Sequence, residues 1–445
     1  MLIGKKNLYS KGFVKILLIG ILLILNNISS AQVWTLQQCI DTARVYNKNL
    51  QIGKNTIALG EQKRKEAVAN LIPKVIGVAD YKYYTDLPYQ LMPQSAFGGP
   101  EGQFKETQFG VPHNINANLQ ASLPLYNPQI YGAIKTTEIA SELTNLQYQK
   151  TEEQLFFDIS NIYYNAQILY NQIGFIDSNL VNTSKLLANI KLLNEQLMVK
   201  GTDVSKVQLQ LEQLTTQKEL INNKYEQVIN SLKFSMGISI NQVVQIETEI
   251  QYQKSVEYEK SAIIDFQIVE TQNRLLSSEL STLKHSRLPT ISLYGTYGTT
   301  GYGYNEAPNE FLKFFPIGYV GAQLSYPLFN GTITKRKINQ KKLEMQNSEL
   351  QLNLVVDQNN MLVENAKSQR AVAMITIENT TSRIKLAQSV YAQTLLQQKE
   401  GTANLTDVLL ADNDIREAQQ SYLLSIIEYL KADLELKKLT GNIGQ

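Results

Sequence analysis

The chain has 445 residues with 42 Lys and Arg against 40 Asp and Glu, one cysteine and two histidines. Four of those lysines (Lys5, Lys6, Lys11, Lys15) lie at the extreme N-terminus, so beyond residue 31 there are 38 cations against 40 anions and no basic excess to suggest a nucleic-acid partner. A lone Cys39 cannot form an intramolecular disulfide, and the spacing of Cys39, His113 and His285 holds no metal-ligand pattern.

The first segment pairs the lysines with an apolar run, Ile16 to Leu25, and a small-residue end, Ser29-Ser30-Ala31. That order reads as a signal peptide over 1–31, with the mature chain starting at Gln32. Ten apolar residues make only ~15 Å of helix, too short to span a bilayer core of about 30 Å. No later run of 18 apolar residues exists, so any membrane-spanning part of the mature chain must be a closed β-barrel.

All eleven prolines fall between Pro73 and Pro128 or between Pro289 and Pro327. Proline breaks helix interiors, so the proline-free stretches permit very long helices. The first helix is expected over Thr35 to about Leu71, with Thr35 and Gln38 forming a capping box. A second runs from about Gln129 to Val199, roughly 105 Å at 1.5 Å per residue. Its apolar track (Ile159, Ile162, Ala166, Leu169, Ile173, Ile176, Leu180) has coiled-coil spacing and continues past one polar break, Thr183. A third helix carries Val207, Leu211, Leu214, Ile221, Tyr225 and Leu232 to Met236-Gly237, with Lys218 in its gap. The second half repeats the pattern over Ser261–Leu288, Thr332–Lys399 and Leu405–Leu439.

Each proline window holds two stretches of two-residue alternation. Ile115, Ala117, Leu119, Ala121 and Leu123 alternate with Asn114, Asn116, Asn118, Gln120 and Ser122, and Val75, Ala79, Tyr81 and Tyr83 oppose Asp80 and Lys82. In the second window Ile291, Leu293 and Tyr297 oppose Ser292 and Thr296, and Val320, Ala322, Leu324 and Tyr326 oppose Tyr319, Gln323 and Ser325. Strands apolar on one face and polar on the other, with aromatic ends, fit a transmembrane barrel with a wet lumen. An ordinary hairpin on a soluble domain has the same alternation. Export, the missing disulfides and the long rods favour the barrel. Four strands cannot close one, since the smallest have eight, so the pore must be shared between subunits.

The halves align as repeats over 32–245 (hairpin 74–127) and 261–445 (hairpin 290–330), joined by a linker over 246–260. Ile72-Pro73 corresponds to Leu288-Pro289, Leu123-Pro124-Leu125-Tyr126-Asn127 to Tyr326-Pro327-Leu328-Phe329-Asn330, and Gly201-Thr202 to Gly401-Thr402. With Trp34-Thr35-Leu36 at the start, this duplicated order resembles the TolC-like outer-membrane efflux protein family across the mature chain.

The resemblance implies a mostly α fold with a transmembrane β-barrel contribution: long antiparallel coiled-coil helices and two β-hairpins per chain, assembled as a homotrimeric channel-tunnel. It implies an outer-membrane subunit with its helices in the periplasm, the exit duct of a tripartite pump for small toxic compounds. An inner-membrane transporter and a periplasmic adaptor would be its partners, with outer-membrane lipid around the barrel, and with no cofactor, catalytic residue or metal. An exit duct for secreted proteins, or a periplasmic coiled-coil adhesin, are the alternatives. By position, the helical tips (Val199, Gly201, Thr202 and Gly401, Thr402) match adaptor-contacting turns, although glycine is equally what a tight interhelical turn demands. Asp407 matches an acidic residue narrowing the periplasmic entrance. Lys206, Ala403 and Leu410 depart from the family pattern there, and Lys206 paired with Asp407, or both left as separate solvated charges, are the gate readings this leaves.

Overall fold

The computed structural model describes residues 33–252, 257–259, 261, 263–303 and 313–443. The signal peptide over 1–31, part of the 246–260 linker and the segment 304–312 lie outside the described residues. The elements, in order, are β1 (Val33–Trp34), α1 (Leu36–Tyr46), α2 (Lys48–Ala69), β2 (Lys74–Tyr83), β3 (Tyr89–Pro93), β4 (Phe104–Gln108), β5 (His113–Tyr126), α3 (Pro128–Glu195) and α4 (Gly201–Met236). They continue with β6 (Gln245–Ile246), α5 (Ile264–His285), β7 (Thr290–Gly303), β8 (Lys313–Ser325), α6 (Ile333–Lys399) and α7 (Leu405–Leu439). No helix among the described residues is long and apolar enough to cross a membrane.

The chain divides into two compact units, and each repeat contributes to both. One takes residues up to Asn55, Gln147–Gln267 and Leu354–Gln445; the other takes Thr56–Leu146 and Ile268–Asn353.

The first unit is held by helix packing. Cys39, Ala43, Ile159, Tyr163, Leu232, Met236 and Ile246 form one core, closed by β1 pairing in parallel with β6. The Tyr163 hydroxyl donates to the Trp34 carbonyl at 2.9 Å. Burial pushes the Cys39 thiol up to about 12, so it behaves as a small apolar residue. Along the expected tracks Ile159, Ala166, Ile176, Ile190, Val207, Leu214 and Leu232 are buried, and Lys218 leaves its gap to pair with Asp177 at 2.7 Å. Thr183, the polar break, is buried with its hydroxyl unpartnered.

The expected helix from Thr35 is in fact two. Its start has the capping box: Thr35 Oγ1 accepts from the Gln38 N–H, and Gln38 Oε1 accepts from the Thr35 N–H. It stops at Asn47, whose backbone is extended, and Asn47 Oδ1 then caps the next helix by accepting from the N–H groups of Asn49 and Leu50. The cause lies far along the chain. Gly237, at φ +75, is packed so tightly that a Cβ on it would sit 2.3 Å from the Tyr46 carbonyl oxygen, and Asn47 Nδ2 donates to the Ser235 carbonyl.

The second unit contains a four-stranded antiparallel sheet in the order β2-β5-β7-β8. The hairpins of the two repeats meet at β5 and β7, leaving β2 and β8 as open edges. The long outer loop after β2 builds a second small hairpin, β3–β4, with Tyr89, Leu91 and Phe104 exposed on it.

Candidate functional site

Register decides which side chains share a face of the sheet. Ala121 stands opposite Val75 and Gly295, Leu119 opposite Gly77 and Tyr297, Ala117 opposite Ala79 and Thr299, and Ile115 opposite Tyr81 and Gly301. Across to β8 the rows end in Val320, Gly318, Pro316 and Phe314. One face is therefore apolar or small over all four strands, and Leu119, Tyr297 and Val320 on it are exposed. At its outer end Tyr81 and Tyr83 flank His113, whose Nδ1 lies 2.7 Å from the Tyr81 hydroxyl.

The opposite face is polar and cross-linked by side chains. Asn116 Nδ2 donates to Asp80 at 3.1 Å, and the Thr300 hydroxyl donates to Asn116 Oδ1 at 3.0 Å, one row running across three strands. Lys82 lies 3.6 Å from Asp80. The alternation read from the sequence thus puts the named residues that lie within the paired strands on their expected faces, while Tyr326 falls just beyond β8. A sheet with an apolar face has no reason to leave that face in water.

The helical unit ends in two hairpin tips, packed on one core of Leu186, Leu187, Ile190, Val207, Leu405 and Val408. Each first helix closes with a left-handed residue and the same pair of bonds. At the first tip Leu197 N–H donates to Asn194 and Met198 N–H to Leu193; at the second Gly401 donates to Gln398 and Thr402 to Gln397. Leu197 has φ +59 and Gly401 φ +74. The left-handed counterpart of Gly401 is thus Leu197, four residues before Gly201. Gly201 makes no turn; it is the first residue of α4. The Gly-Thr match read from the sequence is out of register with the fold at this point, and the turn-glycine account holds for Gly401 alone. Val199 packs against the shared core, while Gly201, Thr202, Gly401 and Thr402 are exposed.

In structural register the partner of Asp407 is Asp203, each in the first turn of its helix. Asp407 closes a capping box, accepting from the Asn404 N–H at 2.9 Å while Asn404 Oδ1 accepts from the Asp407 N–H. Lys206 lies 3.6 Å from Asp203 in its own helix, so within one chain its ion pair is with Asp203 rather than Asp407. Asp407, Lys206 and Leu410 are exposed and Ala403 half-buried. Asn404-x-x-Asp407 is a capping signal readable from sequence; the role of Asp203 is not, because the Gly-Thr match hides it.

Below the tips the two hairpins are joined by buried polar groups that the sequence does not announce. Gln210 Nε2 donates to Asp412, and Arg416 Nε lies 3.2 Å from the same carboxylate. Asp412 is 4 % exposed, and burial raises its pKa against the opposing pull of Arg416 and Gln210. One layer further on, Asn179 Nδ2 donates to Gln419 Oε1 at 2.9 Å. Among the described residues no group of three or more His, Cys, Asp or Glu side chains is placed to hold a metal ion.

A family model described as outer membrane efflux protein matches residues 269–442. The second repeat carries the outer membrane efflux protein signature. No curated protein matches the chain. Among solved structures the chain is similar to the outer membrane protein VceC of Vibrio cholerae, at a TM-score of 0.73 and 13 % identity, covering 91 % of this chain and 96 % of that one. It is similar to the CmeC outer membrane channel of Campylobacter jejuni, at 0.73 and 13 % over 92 % of this chain and 85 % of that one. The MtrE outer membrane channel of Neisseria gonorrhoeae gives 0.72 and 15 % over 91 % and 88 %. At these identities the likeness establishes the fold, which spans both repeats. The family match over the second repeat and the fold over both repeats agree with the resemblance read from the sequence.

Proposed function

We propose that this efflux-family chain is one subunit of a homotrimeric outer-membrane channel, the exit duct of a tripartite pump for small toxic compounds. The observation that carries the reading is the four-stranded sheet with one apolar face and two open edges. In hydrocarbon every backbone N–H and C=O must be paired, so β2 and β8 need strands from other copies. Three copies give twelve strands, enough to close a barrel, with the Asp80–Asn116–Thr300 row lining its wet interior.

A passive conduit needs no catalytic residue, and energy would come from an inner-membrane transporter reached through a periplasmic adaptor. The tips (Val199, Gly201, Thr202 with Gly401, Thr402) are the proposed adaptor contacts. Asp407 is the proposed entrance residue, with Asp203 as its repeat counterpart and Lys206 paired to Asp203. Threefold carboxylate rings favour cations and repel one another, which suits a closable mouth.

Single-channel recording in planar bilayers tests both levels. The wild-type chain is expected to form long-lived pores, and Asp407→Asn to reduce cation preference. Absence of pores would remove the channel reading; pores with unchanged selectivity in Asp407→Asn would remove only the gate assignment.

A further inference from the structure

The two repeats pass from strand to helix very differently. After β5 a single residue, Asn127, leads into α3, and its Oδ1 accepts from the Gln129 N–H. After β8 the chain takes seven residues, 326–332, before α6. That connector turns through left-handed Gly331 and Thr332, at φ +65 and +67, and leaves Leu328 and Phe329 each 84 % exposed. A cavity of about 320 Å³ sits against it, lined by Ser286, Arg287, Phe329, Thr332, Thr334 and Lys335 among others, with no carboxylate in its wall.

The charge around it has one sign. Residues 284–287 and 335–342 contain seven Lys and Arg and no Asp or Glu. Lys341 is neutralised by Glu279 and Glu344. The other six (Lys284, Arg287, Lys335, Arg336, Lys337, Lys342) have no ion-pair partner among the described residues. Arg287 and Lys335 line the cavity together with the bare apolar side chains of Leu328 and Phe329, and the other four cations lie close by in sequence at the end of α5 and the start of α6, an amphipathic surface at the end of a strand.

We infer that this connector is a docking site for an anionic phospholipid headgroup, with Arg287 and Lys335 on the phosphate and Leu328 and Phe329 against the acyl chains; the inference rests on the membrane reading above. A second copy of the chain fits less well as the occupant. The strand that would close β8 is β2, which opens at Lys74 with no Asp or Glu between residues 67 and 79, so it would bring a further positive charge rather than an anion. An anionic headgroup would relieve the repulsion.

The test is native mass spectrometry of the full-length protein in nanodiscs containing equal phosphatidylglycerol and phosphatidylcholine, counting retained lipids. The wild type should retain phosphatidylglycerol preferentially. Arg287→Gln with Lys335→Gln should lower that preference roughly twenty-five-fold, since each cation near an anionic surface contributes about fivefold. An unchanged preference would overturn the site. So would displacement of the lipid by inorganic phosphate at modest excess, which would make free phosphate the ligand. Leu328→Ser with Phe329→Ser should leave the oligomer intact in lipid-free detergent; its dissociation would identify the connector as a subunit contact and overturn the lipid assignment. Failure of the wild type to insert at all would remove the membrane reading and this inference with it, whereas insertion without lipid preference removes this inference only.

Discussion

At the first helical tip the left-handed position is held by Leu197 and at the second by Gly401, yet both tips make the same two closing hydrogen bonds. A leucine in that conformation costs about 1–2 kcal/mol, and glycine pays no such penalty. The second tip also has a capping box at Asn404 and Asp407, while the first helix-starting residue, Lys200, makes no side-chain cap. Turn geometry here is therefore imposed by packing of all four helices on the shared core, not by local preference. The first tip is the strained, poorly capped one, and its Leu197 is 92 % exposed and Met198 69 %. The second is locally stable and polar.

The comparison can be broken where the two hairpins are joined. Asp412→Ala leaves the buried Gln210 amide without its acceptor, a cost of about 1–3 kcal/mol, which should appear as the largest drop in the thermal midpoint of the solubilised protein by circular dichroism. The same carboxylate gives a pH signature. Its pKa is raised above the ordinary 3.8 in the folded protein, so the fold holds a proton that the unfolded chain has lost. Stability from this group is complete below the unfolded value and is lost as pH rises through the raised folded one. Asp412→Asn fixes the neutral state and should flatten that slope; an unaltered slope would exclude Asp412 as its source.

Gly401→Val places a branched side chain at φ +74 and should destabilise by about 1–2 kcal/mol. Asn404→Ala removes the cap and should cost about 1 kcal/mol, whereas Lys200→Ala at the uncapped counterpart should change almost nothing. Leu197→Gly is predicted to have the opposite sign, stabilising by roughly 0.5–1 kcal/mol through relief of strain, less the added freedom of the unfolded chain. If Leu197→Gly destabilises strongly, the leucine is packed rather than strained and the comparison of the tips fails. All of these report on one helical unit, so midpoint shifts, not extrapolated free energies, are the quantity to compare.

Much of the architecture was legible because it rests on local rules. Proline cannot sit in a helix interior, and its two windows mark the strands. Period-two alternation sets faces, and the register of Ala117, Leu119 and Ala121 with Ala79, Gly77 and Val75 follows it. The capping box at Thr35 and the limits of α7 are equally local. What escaped was long-range. The break at Asn47 depends on Gly237 pressing on Tyr46, about 190 residues away, and locally it is hinted at by no more than the capping tendency of Asn47. The Gln210–Asp412 contact is invisible for the same reason. The tips misled differently: a repeated Gly-Thr pair looked like one structural position, but only the second glycine is in the turn. The β3–β4 hairpin lacks strong alternation and went unseen.

The central claim is that one chain supplies an open four-stranded segment that copies of itself close. Cysteine cross-linking across the open edges tests it most directly, with Cys39 replaced by alanine, Val78→Cys on β2, and single cysteines scanned over Ile317, Tyr319 and Gly321 on β8. Oxidation in the outer membrane should yield a covalent ladder ending at the trimer for the position in register. Cross-links confined to monomers at every position, or a ladder extending beyond three, would contradict the account.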